Sequence, residues 1–159
     1  MKHIRITGIM ACDPNGLIGN KGEMPWKNDE ETEHFRSTTK GHLLIMGHNT
    51  FKSSNWDHSN NIVFSRSKKG RNSNTLFINS IEDFLKLDTS KNEKIFMIGG
   101  AQIATLLLSN ELISEFLLTK MKKKYVGDTF LNLNLLQNWR SSVFIEHEEY
   151  TIYRLIKGD

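Results

Sequence analysis

The sequence predicts an α/β domain with a largely parallel sheet, and three observations carry that reading. Short apolar or alternating runs bounded by turn residues recur along the chain, helical patterns lie between several of them, and the last two runs oppose each other across a tight turn. A length of 159 residues suits one domain, residues 1–159, around a single core.

Residues 4–12 (IRITGIMAC), 43–46 (LLIM), 61–65 (NIVFS), 75–79 (TLFIN), 95–98 (IFMI) and 115–121 (EFLLTKM) read as strands. Residues 29–39, 49–55, 80–87 and 101–108 carry apolar or small residues at helical spacing, and Ser80 with Asp83 resembles a capping box. Strand and helix alternating in this way favour parallel pairing through crossovers. Residues 142–148 (SVFIEHE) and 150–157 (YTIYRLIK) read instead as an antiparallel hairpin closing one sheet edge.

A net charge of +3 fits a phosphorylated ligand and falls short of the basic face of a nucleic-acid binder. The run Lys122 to Lys124 reads as a solvated strand end. Cys12 is the single cysteine and no metal-ligand spacing accompanies it, so no metal is expected and the compartment reads as reducing and cytoplasmic. No apolar run approaches a membrane span and no leader pattern opens the chain, so a soluble, unprocessed protein is expected.

Parallel sheets of this kind bind ligands beyond the carboxyl ends of their strands. Three such junctions stand out. In LLIMGHNTFKS a strand meets Gly47 and then a helix start with Asn49 and Thr50; in IFMIGGAQIATLLL two glycines precede a helix; in NIVFSRSKK a strand delivers Ser65, Arg66 and Ser67 ahead of two lysines. The pair Gly99–Gly100 does not make a G-x-G-x-x-G fingerprint, so a dinucleotide held here is not held in the usual Rossmann manner. Two helix starts for a pyrophosphate and one basic pocket for an extra phosphate suggest NADPH.

The stretch KGEMPWKNDEETEHF sets four acids just before Phe35. If Asn28 caps a helix, Glu31 shares a face with Phe35, while Asp29, Glu30 and Glu33 turn away as favourable first-turn charges. Glu31 has two open roles. It can reach back to cap its own helix, or it can stand as a desolvated acid with a raised pKa beneath the Gly-rich segment LIGNKGEMPW.

These residues, taken in order, resemble the dihydrofolate reductase family: GLIGNKGEMPW like its mobile Met loop, EETEHF with its pocket acid, then MGHNTF, NIVFSR, IGGAQI, LLT and GDT. The likeness covers the whole chain. It implies an eight-stranded sheet flanked by about four helices, with an antiparallel C-terminal hairpin, NADPH as hydride donor, and a dihydropterin or folate as the small-molecule substrate. It also implies a monomer; with the charge and hydropathy read above, neither nucleic acid nor a membrane is expected as a partner. Glu31 matches the acid that binds the pterin and promotes protonation at N5, with Thr119 its supporting threonine and Trp26 the tryptophan near it. Met24 falls where the loop closes over the nicotinamide. Ile9, Met10, Phe35 and Ile98 match positions lining the pterin site. Ala11, Ile18, Gly19 and Asn20 match the nicotinamide and ribose side of the cofactor. Gly47, His48, Asn49 and Thr50, with Gly99, Gly100, Ala101, Gln102 and Ile103, match the pyrophosphate cradle. Ser65, Arg66 and Ser67 match the adenosine phosphate pocket, and Asp128 and Thr129 the loop that steadies the closed Met loop.

The chain departs from the family pattern where the substrate tail lies. The tail-binding arginine expected just before NIVFS is replaced by a serine or asparagine, and Thr32 and Ser54 stand where apolar residues usually pack the aminobenzoyl ring. Arg36 and His58 are the candidate replacement anion contacts. On the cofactor side His48, Gln102 and Ala104 stand in for larger or charged residues, which leaves Arg66 to favour NADPH over NADH. The short turn HEEYT is expected not to lock the Met loop in an occluded state. Dihydrofolate reduction is the first reading; reduction of a tail-less dihydropterin or a riboflavin-pathway pyrimidine, and a non-catalytic nucleotide- or partner-binding domain, are the alternatives.

Overall fold

The computed structural model describes residues 5–53, 60–92 and 94–158. Eleven strands, four α-helices and one 3-10 turn are formed by the described residues. The strands are β1 (Ile6–Cys12), β2 (Leu17–Gly19), β3 (Leu43–Gly47), β4 (Asn61–Phe64), β5 (Gly70–Asn72) and β6 (Thr75–Ile78), followed by β7 (Ile95–Met97), β8 (Ile113–Met121), β9 (Thr129–Phe130), β10 (Arg140–Glu146) and β11 (Tyr150–Ile156). The helices are α1 (Asp29–Thr39), α2 (His48–Ser53), α3 (Ile81–Leu85) and α4 (Ala101–Ser109), and the 3-10 turn spans Leu133–Leu136.

Nine strands form the main sheet in the order β10-β11-β8-β1-β7-β3-β4-β6-β5. The pairs β8-β1, β1-β7, β7-β3, β3-β4 and β4-β6 are parallel. The C-terminal hairpin is antiparallel, as its sequence predicts, and β11 adds to β8. The sheet has one strand more than the eight expected from the family resemblance, because β5 adds antiparallel to β6. Its residues Gly70, Arg71 and Asn72 are all exposed and show no apolar alternation, so no sequence signal marked them. Leu17–Gly19 and Thr129–Phe130 pair in a separate two-stranded ribbon.

Alternation along each strand divides the core. Ile6, Met10 and Cys12 of β1 join Leu43, Ile45, Phe116 and the helical Phe84 and Leu107 on one face. Ile9 joins Leu44, Met46, Phe96 and Leu117 on the other, where Phe35 of α1 and Phe51 of α2 pack. Ala11, Trp26, Met121, Tyr150 and Ile152 extend that second face toward the hairpin. Gly8 lets β1 and β8 sit together: a β-carbon there would lie 2.5 Å from the Phe116 ring.

Candidate active site

The carboxyl ends of the parallel strands bring together β1, the segments after β3 and β4 and the Gly99–Gly100 turn after β7, and α1 packs beside them; the general rule for such sheets makes this end the candidate cleft. Asn28 is the N-cap of α1, and its side-chain oxygen accepts the Glu31 backbone N–H at 3.0 Å. Asn28 therefore supplies the side-chain half of the cap, and no reciprocal bond from the Asn28 N–H to the Glu31 carboxyl is formed among the described residues. Glu31 is 8% exposed. Burial pushes its carboxyl up to about 7, as desolvation of a charged form requires.

Around this acid the second face of the sheet converges. Thr119 of β8 is buried opposite Ala11 of β1, yet no hydrogen bond joins it to Glu31 among the described residues. Trp26 is buried with its Nε1 unpaired, and its ring lies 5.4 Å from that of Tyr125. Phe35, Ile9 and Ile98 share one apolar cluster. Met10 belongs to the opposite face of β1 and packs under the Gly99 turn, because neighbours on a strand point to opposite sides. Thr32 is half-buried and donates its hydroxyl to the Asn28 carbonyl at 3.0 Å. Arg36 is exposed on α1, and Ser54 and His58 lie outside the described residues.

The second half of the cleft is built from backbone. The Gly47 N–H donates to the Gly99 carbonyl at 2.9 Å, bringing the end of β3 against the start of α4. Gly100 is the N-cap of α4 and no side chain caps the helix, so the first N–H groups of Ala101, Gln102 and Ile103 face the cleft end without a side-chain acceptor. A β-carbon at Gly100 would lie 3.7 Å from Thr50 Oγ1, and one at Gly99, where φ is +116°, would lie 3.3 Å from Met10 Cε. Beyond β4, buried Ser65 accepts the N–H groups of Ser67 and Lys68 at 3.3 and 3.1 Å and lies 3.4 Å from His48 Nδ1. Arg66 stands exposed beside it, as does Asn49 on α2. A bare backbone cradle beside a serine–arginine turn is a donor set suited to pyrophosphate and a phosphate monoester, so these residues fit NADPH.

The loop over the cleft is fastened on its outer side. Ile18, Gly19 and Asn20 lie along or just past β2, and Gly19 pairs with Thr129. The Asp128 carboxylate accepts the Lys21 N–H at 3.2 Å, and the Asp128 N–H donates to Gly19 at 3.1 Å. Met24 is 53% exposed at the loop tip. The 147–149 turn of the hairpin touches the helix start instead, through Asn28–Glu149 at 3.3 Å and Glu30–His147 at 2.8 Å.

One buried acid at this site escaped the sequence reading. Asp13, just after β1, is fully buried. Burial alone would raise its pKa, but the N–H groups of Tyr125, Leu17 and Asn15, with Lys124 nearby, outweigh it and hold the carboxyl below the usual range. An acid set directly after an apolar strand and ahead of the turn Pro14–Asn15–Gly16 was the available signal. Neighbouring Cys12 is an inert thiol, pushed up to about 12 by burial.

A buried acid whose pKa is raised toward neutrality, set against a backbone cradle at the carboxyl ends of a parallel sheet, defines a small α/β enzyme that binds a nucleotide cofactor. The family model for dihydrofolate reductase matches residues 5–154, and the chain belongs to that family of NADPH-dependent oxidoreductases. The dihydrofolate reductase of Bacillus subtilis is 31% identical over 137 residues, covering 85% of this chain and 80% of that protein. The bifunctional dihydrofolate reductase-thymidylate synthase of Paramecium tetraurelia is 31% identical over 135 residues, covering 83% of this chain; the chain spans only 29% of that longer protein. In fold it is similar to Enterococcus faecalis dihydrofolate reductase, solved in complex with NADP(H) and RAB-propyl. The TM-score is 0.78 at 20% identity, covering 99% of this chain and 98% of that one.

Proposed function

We propose that this chain reduces 7,8-dihydrofolate to 5,6,7,8-tetrahydrofolate, with NADPH bound along the cradle of Gly47 to Thr50 and Gly99 to Ile103 and in the Ser65–Ser67 turn. Family membership supports the reaction, and the buried Glu31 carboxyl, pushed to about 7, is the observation that carries the assignment of its residues. NADPH, when bound, supplies the hydride that goes to C6 of the pterin.

The residues of the chain do the rest. Glu31 accepts hydrogen bonds from the amino-pyrimidine edge of the substrate, and its raised pKa lets it exchange a proton near neutrality, so that N5 is protonated as C6 receives the hydride. Phe35, Ile9 and Ile98 pack against the pterin and exclude water, which keeps the acid desolvated. Trp26, whose buried Nε1 has no partner in the protein, takes the place of the tryptophan near the acid that the family resemblance assigns. Arg66 favours the cofactor that carries the extra phosphate. A monomeric state belongs to the same reading and rests on the family, and a cytoplasmic setting rests on the lone cysteine, Cys12.

The test is NADPH oxidation by the purified protein with dihydrofolate, run beside a tail-less dihydropterin. Turnover of dihydrofolate is expected. Activity confined to the shorter pterin, or to neither compound, overturns the substrate assignment. The missing tail arginine makes this comparison informative, since losing a bidentate charge pair weakens a carboxylate contact.

A further inference from the structure

The loop from Asp13 to Trp26 is exposed at its tip and buried at both ends. Asp13 sits at its first position with no solvent exposure, and both carboxylate oxygens are occupied. One accepts the Asn15 and Leu17 N–H groups at 2.8 and 3.0 Å; the other reaches across to the Tyr125 N–H at 3.0 Å, 112 residues away in sequence. Tyr125 in turn lays its ring against Trp26 at the far end of the loop.

We infer that Asp13 is a positioning residue: a buried carboxylate that fastens the base of the 13–26 loop to the 122–128 segment and thereby sets where Trp26 stands just ahead of the helix that carries Glu31. The chain of contact is continuous. Asp13 holds the Tyr125 backbone, the Tyr125 ring holds Trp26, and Trp26 precedes α1, which carries Glu31. An anion accepts three backbone N–H groups more strongly than a neutral oxygen does, and it needs no solvent to do so. This bond is separate from the Asp128 contacts that hold the middle of the same loop.

Asp13→Asn separates the fastening role from mere filling, because the amide keeps the shape but puts an NH2 group against at least one of the three N–H donors. Trypsin cleavage after the exposed Lys21 is expected to accelerate about tenfold in the variant, and kcat is expected to fall about tenfold with KM changed less, since a small misplacement near the chemistry costs that much. Unchanged cleavage and an unchanged kcat would overturn the inference. Should the variant fold poorly, amide hydrogen exchange of the native protein decides: Tyr125, Asn15 and Leu17 are expected to exchange slowly, and free exchange at Tyr125 sinks the idea. The kinetic arm rests on the proposed reductase reading, whereas cleavage and exchange need no substrate. A protected, fastened loop in an inactive protein would therefore count against that reading and leave the role of Asp13 standing.

Discussion

Asn28 and Glu31 are joined through the backbone: the Asn28 side-chain oxygen accepts the Glu31 N–H at 3.0 Å. No reciprocal bond from the Asn28 N–H to the Glu31 carboxyl is formed among the described residues, so the acid's side chain is left out of the cap. Glu31→Gln therefore keeps the cap and removes the acid. A loss of about a hundredfold in kcat/KM at neutral pH is expected, together with loss of the ionisation near pH 7 that should shape the wild-type profile. Wild-type activity across pH would show that the acid is not the proton-transferring group.

The same substitution has a signed effect on stability. Burial raises the Glu31 pKa from 4.5 to about 7. Between those values the folded state binds the proton more tightly than the unfolded chain, so this group's contribution declines as pH rises and is least favourable above 7. Glu31→Gln is expected to be more stable than wild type at pH 8 by roughly 1–3 kcal/mol, with little difference at pH 4. Denaturant unfolding at the two pH values reads this directly.

Asn28→Ala removes the cap of α1 and the link to Glu149, and should cost about 0.5–2 kcal/mol. Asn28→Ser restores an N-cap oxygen and should recover most of that loss. If both variants melt like wild type, the cap does not hold the helix start.

Gly127 packs against β2 at the outer side of the loop. A β-carbon there would meet the Gly19 carbonyl oxygen at 2.5 Å and Leu17 Cδ1 at 2.8 Å. A backbone oxygen cannot swing aside, so Gly127→Ala has to part β2 from β9. Destabilisation by about 1–3 kcal/mol, faster trypsin cleavage after Lys21 and a lower kcat/KM are expected. Normal values for all three would mean the ribbon accommodates the methyl.

Gly99 adopts a φ of +116°, and a β-carbon there would lie 3.3 Å from Met10 Cε. Gly99→Ala is expected to cost about 1–3 kcal/mol in strain and to raise the KM for NADPH more than that for dihydrofolate. The reverse ratio would place Gly99 away from the cofactor.

All four helices and the eight strands read from periodicity are present, with ends shifted by a few residues. The strong signals were local: Asn28 ahead of an amphipathic run, Ser80 capping Asp83 at 3.1 Å, and apolar runs ending at Gly47 and Gly99. The strands without a signal, β2, β5 and β9, are two or three residues long. They exist because a partner strand lies beside them, not because their side chains alternate.

The sequence by itself determined the order of strands and helices, the glycines of the cradle, and the pairing of an acid with Phe35 on one helical face, because each follows from spacing within a few residues. Only the tertiary structure decided that Asn28 and not Glu31 caps α1, that Met10 faces away from Ile9, and that Asp13 ties together two loops 112 residues apart. Burial and hydrogen-bond partners depend on what the rest of the chain brings alongside, and that is what raises the pKa of Glu31, lowers that of Asp13, and turns an ordinary-looking acid after the first strand into a buried acceptor for two loops.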